Sequence, residues 1–142
     1  GFMGRVHANA VRAAGGVVTV VAGSSAQKGE DARRQYGADR ALSAHDLIAS
    51  DEVDLVHICT PNDTHYDLAL AAVAAGKHVI CEKPLAVTVE QASELLAAAE
   101  EAGVVHAVPF VYRYYPSVRE ARERIDSADE RVWLIHGHYL QD

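Results

Sequence analysis

The sequence predicts an α/β fold built around a parallel, doubly wound sheet. Two observations predict it. Short apolar, β-branched segments alternate five times with stretches of helical pattern, and a glycine follows most of those helical stretches. Strand–helix–strand units of this kind join parallel strands through crossover helices. The apolar segments are continuous rather than alternating, which is typical of strands buried on both faces.

Cap residues and stop signals define the predicted helices. Ser25, Ser43 and Thr88 each precede a helical pattern, where their hydroxyl oxygens can accept a hydrogen bond from the first turn. Asp63 or Thr64 is expected to cap the helix between the third and fourth strands. The predicted helices cover residues 5–14, 26–36, 44–49, 65–75, 89–102 and 116–127.

The predicted strands cover residues 17–22, 40–42, 53–59, 79–81, 104–110 and 131–140. The last of them alternates polar and apolar residues, as strands with one exposed face do. This change of pattern indicates that a second α/β domain begins near the end of the sequence. We place the boundary between residues 116 and 117, so that residues 1–116 form one domain and residues 117–142 begin the next.

Composition and net charge limit the classes of binding partner that we expect. A formal net charge of -7 argues against a nucleic acid or an anionic membrane surface, and no apolar run is long enough to span a bilayer. Cys59 and Cys81 lie in apolar strand segments and are interpreted as free thiols in a reducing compartment, which predicts a cytoplasmic protein. A disulfide between them is the less favoured alternative. No metal site is predicted, because His136 and His138 share a strand face without a third ligand.

The segment from residue 78 to residue 85 carries the strongest chemical signal. Pro84 has no N–H group and ends the strand before it, so Glu82 and Lys83 stand at the carboxyl end of that strand. Open α/β sheets bind ligands at this end. A lysine there can donate a proton or present a fixed positive charge to a reacting hydroxyl. The alternative is a surface Glu–Lys pair at a strand end.

The first residues predict a dinucleotide-binding turn. Gly1, Phe2, Met3 and Gly4 have the spacing of the last two glycines of G-x-G-x-x-G, which bring backbone close to a pyrophosphate and let the helix pack tightly on the sheet. The next strand ends in Gly23-Ser24-Ser25, without an acid, and Lys28 follows. Hydroxyls and a cation suit a phosphorylated ribose, so NADP is favoured over NAD. Alternatively, the serines merely cap a helix.

Four segments together resemble the Gfo/Idh/MocA family, whose name-givers include glucose–fructose oxidoreductase and inositol dehydrogenase. They are GFMGRVHA, ICTPNDTH, GKHVICEKPLA and VPFVYRYYP, in that order. The resemblance implies an N-terminal Rossmann domain on NAD or NADP and a C-terminal domain for substrate and oligomerisation. It further implies hydride transfer to or from a carbinol carbon of a sugar, polyol or related compound, in a homo-oligomer (a dimer or tetramer).

The resemblance also assigns roles to residues. Thr60, Pro61, Asn62 and His65 would line the ribose and pyrophosphate of the cofactor. Glu82 would approach the nicotinamide ribose and Lys83 would lie beside the reacting hydroxyl, while Arg113 matches a position near the nicotinamide and substrate. We interpret His7 as a helix-face residue. Tyr112, Tyr114 and Tyr115 suit either a sugar pocket or packing.

The sequence departs from the family pattern at both ends. The first strand and first glycine of the fingerprint are absent, as are the catalytic histidine and aspartate of the second domain. We therefore interpret the chain as a fragment, expected to be inactive by itself, in which the two strands beside the absent one are unpaired. Three alternatives stay open: a non-catalytic dinucleotide sensor, a biliverdin-reductase-like enzyme, and a structural α/β domain with chance motifs.

Overall fold

The computed structural model describes residues 1–128, 132–138 and 140. The chain divides into two compact units, Gly1–Pro109 and Phe110–Asp142. The predicted domain boundary between residues 116 and 117 stays a prediction. No helix within the described ranges is long and apolar enough to cross a membrane.

Helices and strands alternate through the first unit. The helices are α1 (Phe2–Ala13), α2 (Ala26–Tyr36), α3 (Ala44–Ala49), α4 (His65–Ala74) and α5 (Val89–Ala102), with a 3₁₀ turn at Asn62–Thr64. The strands are β1 (Val20–Ala22), β2 (Arg40–Leu42), β3 (Leu55–Ile58), β4 (His78–Cys81) and β5 (His106–Ala107). The second unit contains a 3₁₀ turn at Val111–Tyr114 and helix α6 (Pro116–Asp126).

All strand pairs among the described residues are parallel, which confirms the predicted fold class. β1 pairs with β2, and separately β3, β4 and β5 form a three-stranded sheet in that order. In the part of the chain that the structure describes, no ladder joins β1 to β3. The sheet is thus divided at the place where the sequence predicted two unpaired neighbouring strands.

The core lies between the three-stranded sheet and helices α4 and α5. Alternate strand residues face these helices and are buried: Val56, Ile58, Val79 and Cys81. Burying each such aliphatic side chain contributes about 1.5–3 kcal/mol. The residues between them, such as His57, face the other side of the sheet and are half-buried.

Three of the four predicted helix caps are confirmed. Hydroxyl oxygens of Ser25, Ser43 and Thr88 accept hydrogen bonds from backbone N–H groups in the first turns of α2, α3 and α5. The expected cap on α4 is wrong. The Thr64 hydroxyl donates instead to the backbone oxygen of Pro61, 2.7 Å away, because a 3₁₀ turn precedes the helix.

Among the elements whose bounds differ from the prediction, α1, β1 and β5 need the largest corrections. α1 begins at Phe2, three residues before the expected start, because the N–H of Arg5 already donates to the backbone oxygen of Gly1. β1 begins only at Val20, and Val17 is exposed. β5 is two residues long, since the N–H of Val105 donates to Nδ1 of His78 instead of extending the ladder.

The strand predicted over residues 131–140 is also wrong for the residues that can be judged. Residues 132–138 and 140 have no regular secondary structure and are exposed. A strand needs a hydrogen-bonded neighbour, and within the described ranges these residues have none. Residues 131 and 139 lie outside the described residues.

Candidate active site

Two loops that carry predicted site residues leave the sheet side by side. β3 and β4 run parallel with Ile58 opposite Cys81, and the N–H of Glu82 donates to the backbone oxygen of Ile58 over 3.0 Å. The segment Thr60-Pro61-Asn62 therefore emerges next to Glu82 and Lys83. Apart from Glu82, these residues are exposed, as a ligand-binding edge requires.

Glu82 turns its carboxylate inward. The residue is 7% exposed, and its Oε1 lies 3.0 Å from Nε2 of His7. Its Oε2 accepts a hydrogen bond from the N–H of Lys83, at 3.1 Å. His7 belongs to α1, so the helix that starts at the opening glycine reaches the carboxyl end of β4. The glycine turn and the Glu-Lys-Pro segment therefore belong to the same region of the unit.

A second histidine stands behind the first. Nδ1 of His7 and Nδ1 of His57 are 2.8 Å apart, and the two rings meet edge to face. Burial is the main cause that lowers the pKa of His57 from its ordinary value, and the repulsion that a protonated His7 would exert adds to the shift. Nε2 of His57 is buried without a hydrogen-bond partner among the described residues.

Sequence reasoning missed this arrangement. It placed His7 on a helix face and gave His57 no role. The available signal was the alternation in β3: Val56 and Ile58 face the core, so His57 must face the other side of the sheet, where a helix of the first crossover would cover it.

Tyr36 holds the opening turn. This tyrosine, at the end of α2, is buried, and its hydroxyl donates to the backbone oxygen of Gly1 over 3.0 Å. A Cβ on Gly4 would lie 3.3 Å from that hydroxyl, so glycine allows a close contact with the Tyr36 side chain here, and the packing of Gly4 on the sheet stays a prediction. Nothing lies within 4 Å of a Cβ built on Gly1. Phe2 beside it is exposed, and Met3 is half-buried.

The turn after β1 presents small polar groups. Ser24, Ser25 and Lys28 are all exposed, and no acid stands among residues 23–28. The Ser25 hydroxyl accepts from the N–H of Lys28 at 3.3 Å, so the capping interpretation holds for that serine. A Cβ on Gly23 would lie 2.4 Å from the nitrogen of Gly29, which makes glycine obligatory where β1 meets α2.

The side chain of His65 lies between the loop that follows β3 and the loop that follows β4 and contacts both. It is 1% exposed. Its Nδ1 lies 2.7 Å from the backbone oxygen of Pro84, and its Nε2 lies 3.0 Å from that of Thr60. Both ring nitrogens are thus directed at the protein backbone, so the ring braces the Thr60 loop against the Lys83 loop. Its contact with a cofactor stays a prediction.

Arg113 lies in the second unit, in the 3₁₀ turn Val111–Tyr114, and is exposed. Its place beside the nicotinamide stays a prediction. Tyr112 and Tyr115 pack edge to face with ring centroids 5.2 Å apart, which favours the packing interpretation for this pair.

Both cysteines are free thiols, as the sequence predicted. Burial is the main cause that raises the pKa of Cys59 to about 11 and that of Cys81 to about 12. The negative charge of Glu82 adds to both shifts. Thiols of this kind are poor nucleophiles near neutral pH, so neither is a candidate for covalent catalysis.

Comparison with known proteins decides the family. Residues 1–110 match the model of the Gfo/Idh/MocA oxidoreductase family, described as having an NAD-binding Rossmann fold. The chain belongs to this family. It is 37% identical to levoglucosan dehydrogenase of Pseudarthrobacter phenanthrenivorans, covering 100% of the chain and 39% of the relative. It is 40% identical to 1,5-anhydro-D-fructose reductase of Ensifer adhaerens, covering 92% of the chain and 41% of the relative.

Solved structures agree with the family assignment. The structure of levoglucosan dehydrogenase in complex with NADH and levoglucosan superimposes with a TM-score of 0.83 at 35% identity, covering 89% of this chain and 37% of that one. An NAD binding oxidoreductase from Klebsiella pneumoniae gives a TM-score of 0.84 at 38% identity, covering 89% and 36%. The chain thus spans about two fifths of the length of its curated relatives.

Proposed function

We propose that this chain is the dinucleotide-binding part of an NAD(P)-dependent oxidoreductase that moves a hydride between nicotinamide and the carbinol carbon of a sugar or polyol. One observation carries the proposal: the contact between His7 and Glu82, 3.0 Å long, joins the helix of the glycine turn to the end of β4. That contact brings the predicted phosphate site and Lys83 to one region. The names of the relatives, a sugar dehydrogenase and a sugar reductase, supply the substrate class.

The residues present fit a dinucleotide. Gly1 precedes helix α1, a helix of 12 residues whose N-terminal N–H groups favour a phosphate. The exposed Thr60 and Asn62 offer a hydroxyl and an amide at the neighbouring strand end. When bound, a nicotinamide would supply the hydride acceptor.

Lys83 has the central chemical role in this proposal. Its exposed ammonium would donate a hydrogen bond to the substrate hydroxyl oxygen. As the C–H bond breaks and the hydride leaves carbon, the oxygen gains negative charge, and a fixed ammonium stabilises that charge. The resemblance places the group that accepts the hydroxyl proton, a histidine, outside this sequence.

We further propose that NADP is preferred over NAD. The turn after β1 offers the exposed hydroxyl of Ser24 and the exposed cation of Lys28, and no carboxylate that would repel a 2′-phosphate. The homo-oligomeric state and the cytoplasmic location stay predictions.

The test is a lysine substitution in the full-length protein. Lys83→Met removes the ammonium, and we expect kcat to fall by about 10²–10⁴-fold. The dissociation constants of NADPH and NADH, measured by fluorescence quenching, should change little, with that of NADPH the lower. Lys77→Met is the matched control, because Lys77 donates to the backbone oxygen of Ser50, away from this site.

Two results would contradict the proposal. Undiminished turnover in Lys83→Met would remove Lys83 from the mechanism. Dinucleotide binding by the wild-type protein without turnover on a panel of sugars and polyols would favour the non-catalytic sensor.

A further inference from the structure

Only three polar side chains are buried in the described part of the chain: His7, His65 and Glu82. Two of them, His7 and Glu82, contact each other although 75 residues separate them in the sequence. His57 extends this contact to a row of three side chains. The mechanism proposed above uses none of the histidines.

The contacts define where the protons are. A carboxylate only accepts hydrogen bonds, and Oε2 of Glu82 already accepts from the N–H of Lys83. Nε2 of His7 must therefore be the donor to Oε1 of Glu82. In a neutral ring this leaves Nδ1 of His7 as an acceptor, and Nδ1 of His57 must then carry the proton between the two rings.

The buried Nε2 of His57 agrees with this direction. In the opposite arrangement His57 would carry its proton on Nε2, where no described residue accepts it. A buried N–H without an acceptor is rarer and more costly than a buried nitrogen lone pair. The hydrogen bonds thus run from His57 to His7 and from His7 to Glu82.

This row ends at the backbone of the proposed catalytic lysine. Glu82 is held at both oxygens, by the ring of His7 and by the N–H of Lys83. Because His7 holds one oxygen of the carboxylate in place, the other oxygen restrains the backbone N–H of Lys83 that donates to it. The backbone from which the Lys83 side chain extends is therefore connected through Glu82 to helix α1.

We propose that His7 is a positioning residue for Lys83, acting through the Glu82 carboxylate, and that His57 sets the tautomer of His7. The proposal rests on the oxidoreductase function proposed above. Because Lys83 alone carries the charge that meets the substrate, loss of this support lowers turnover and leaves dinucleotide affinity nearly unchanged.

Steady-state kinetics of the full-length protein test the role of His7. His7→Leu removes the donor, His7→Gln keeps an N–H group, and His45→Leu is the matched control at an exposed histidine on α3. We expect kcat per folded protein to fall about 10–100-fold in His7→Leu, to be largely restored in His7→Gln, and to stay at the wild-type value in His45→Leu. The dissociation constant of NADPH should stay within threefold.

A merely structural role would lower the folded fraction and leave kcat per folded protein unchanged. The proposal is overturned if His7→Leu matches His45→Leu in kcat, or if His7→Gln is no better than His7→Leu. Should His7→Leu fail to fold by circular dichroism, His57→Leu is compared with His57→Asn, which keeps a donor near Nδ1. Equal kcat values in those two variants would equally overturn it.

A second measurement does not depend on activity. ¹⁵N chemical shifts of the histidine rings at pH 7.5 report the tautomers directly. We expect the proton on Nε2 in His7 and on Nδ1 in His57, and the reverse assignment would refute the proposed direction. An inactive wild-type protein with the expected tautomers would refute the oxidoreductase proposal while supporting the hydrogen-bond row.

Discussion

Replacing His65 tests the brace between the two loops most directly. The ring is fully buried, and its nitrogens contact the backbone oxygens of Thr60 and Pro84. A neutral imidazole carries a single N–H group, so one of the two contacts is a hydrogen bond. His65→Phe keeps an aromatic ring and removes that bond, which contributes about 1 kcal/mol. His65→Ala also empties a buried side-chain site, which costs about 2–3 kcal/mol more. We therefore expect the free energy of unfolding to fall by about 1 kcal/mol in His65→Phe and by about 3–4 kcal/mol in His65→Ala.

Urea denaturation followed by circular dichroism measures these differences, with His45→Ala as the exposed control, expected within about 0.5 kcal/mol of the wild type. The order of the variants decides the interpretation. If His65→Phe is as stable as the wild type, the two backbone contacts contribute nothing and the brace does not exist. If both variants lose the same amount, the ring volume is irrelevant and the packing argument is wrong.

Three further predictions concern other parts of the first unit. Gly23→Ala places a Cβ 2.4 Å from a backbone nitrogen of α2 and should destabilise the protein by about 2 kcal/mol or more in urea, whereas Gly137→Ala, with open space around it, should not. Because the pKa of His57 is lowered in the folded state, the unfolded chain binds more protons below pH 6.5, so the free energy of unfolding should decrease as pH falls through that range. His57→Asn should flatten this dependence, and an unchanged slope would exclude His57 as its source. With thiol pKa values of about 11 and about 12, Cys59 and Cys81 should react with iodoacetamide at pH 8 about a hundredfold or more slower than in the urea-unfolded chain, and equal rates would contradict the burial of both thiols.

Much of the fold was accessible from the sequence because its signals are local. The bounds of α2, β2, α3 and α5 were predicted to the residue, since a capping serine or threonine, or a glycine, marks most of their ends. Strand lengths that depend on contacts with a neighbouring strand could not be predicted in this way. The N–H of Val105 bonds a histidine side chain from an adjacent strand and shortens β5, which no periodicity encodes.

The candidate site shows the same division. That Thr60, Pro61, Asn62 and Lys83 stand at strand ends followed from short apolar segments that stop at prolines. The inward direction of the Glu82 carboxylate could not be predicted, because its partner, His7, lies on a helix 75 residues away in the sequence. Similarly, the close contact at Gly4 is made by the side chain of Tyr36, whose position depends on how α2 packs.

The bond from Tyr36 to the backbone of Gly1 has a consequence for redesign of cofactor preference. Helix α2, 11 residues long, begins after Ser25, contains Lys28 in its first turn and ends at Tyr36, which contacts the turn expected to bind phosphate. A substitution that tilts this helix at the end proposed to contact the adenosine ribose would also displace Gly1 at the other end. Swapping specificity and preserving overall dinucleotide affinity are therefore one engineering problem, to be solved with both ends in view.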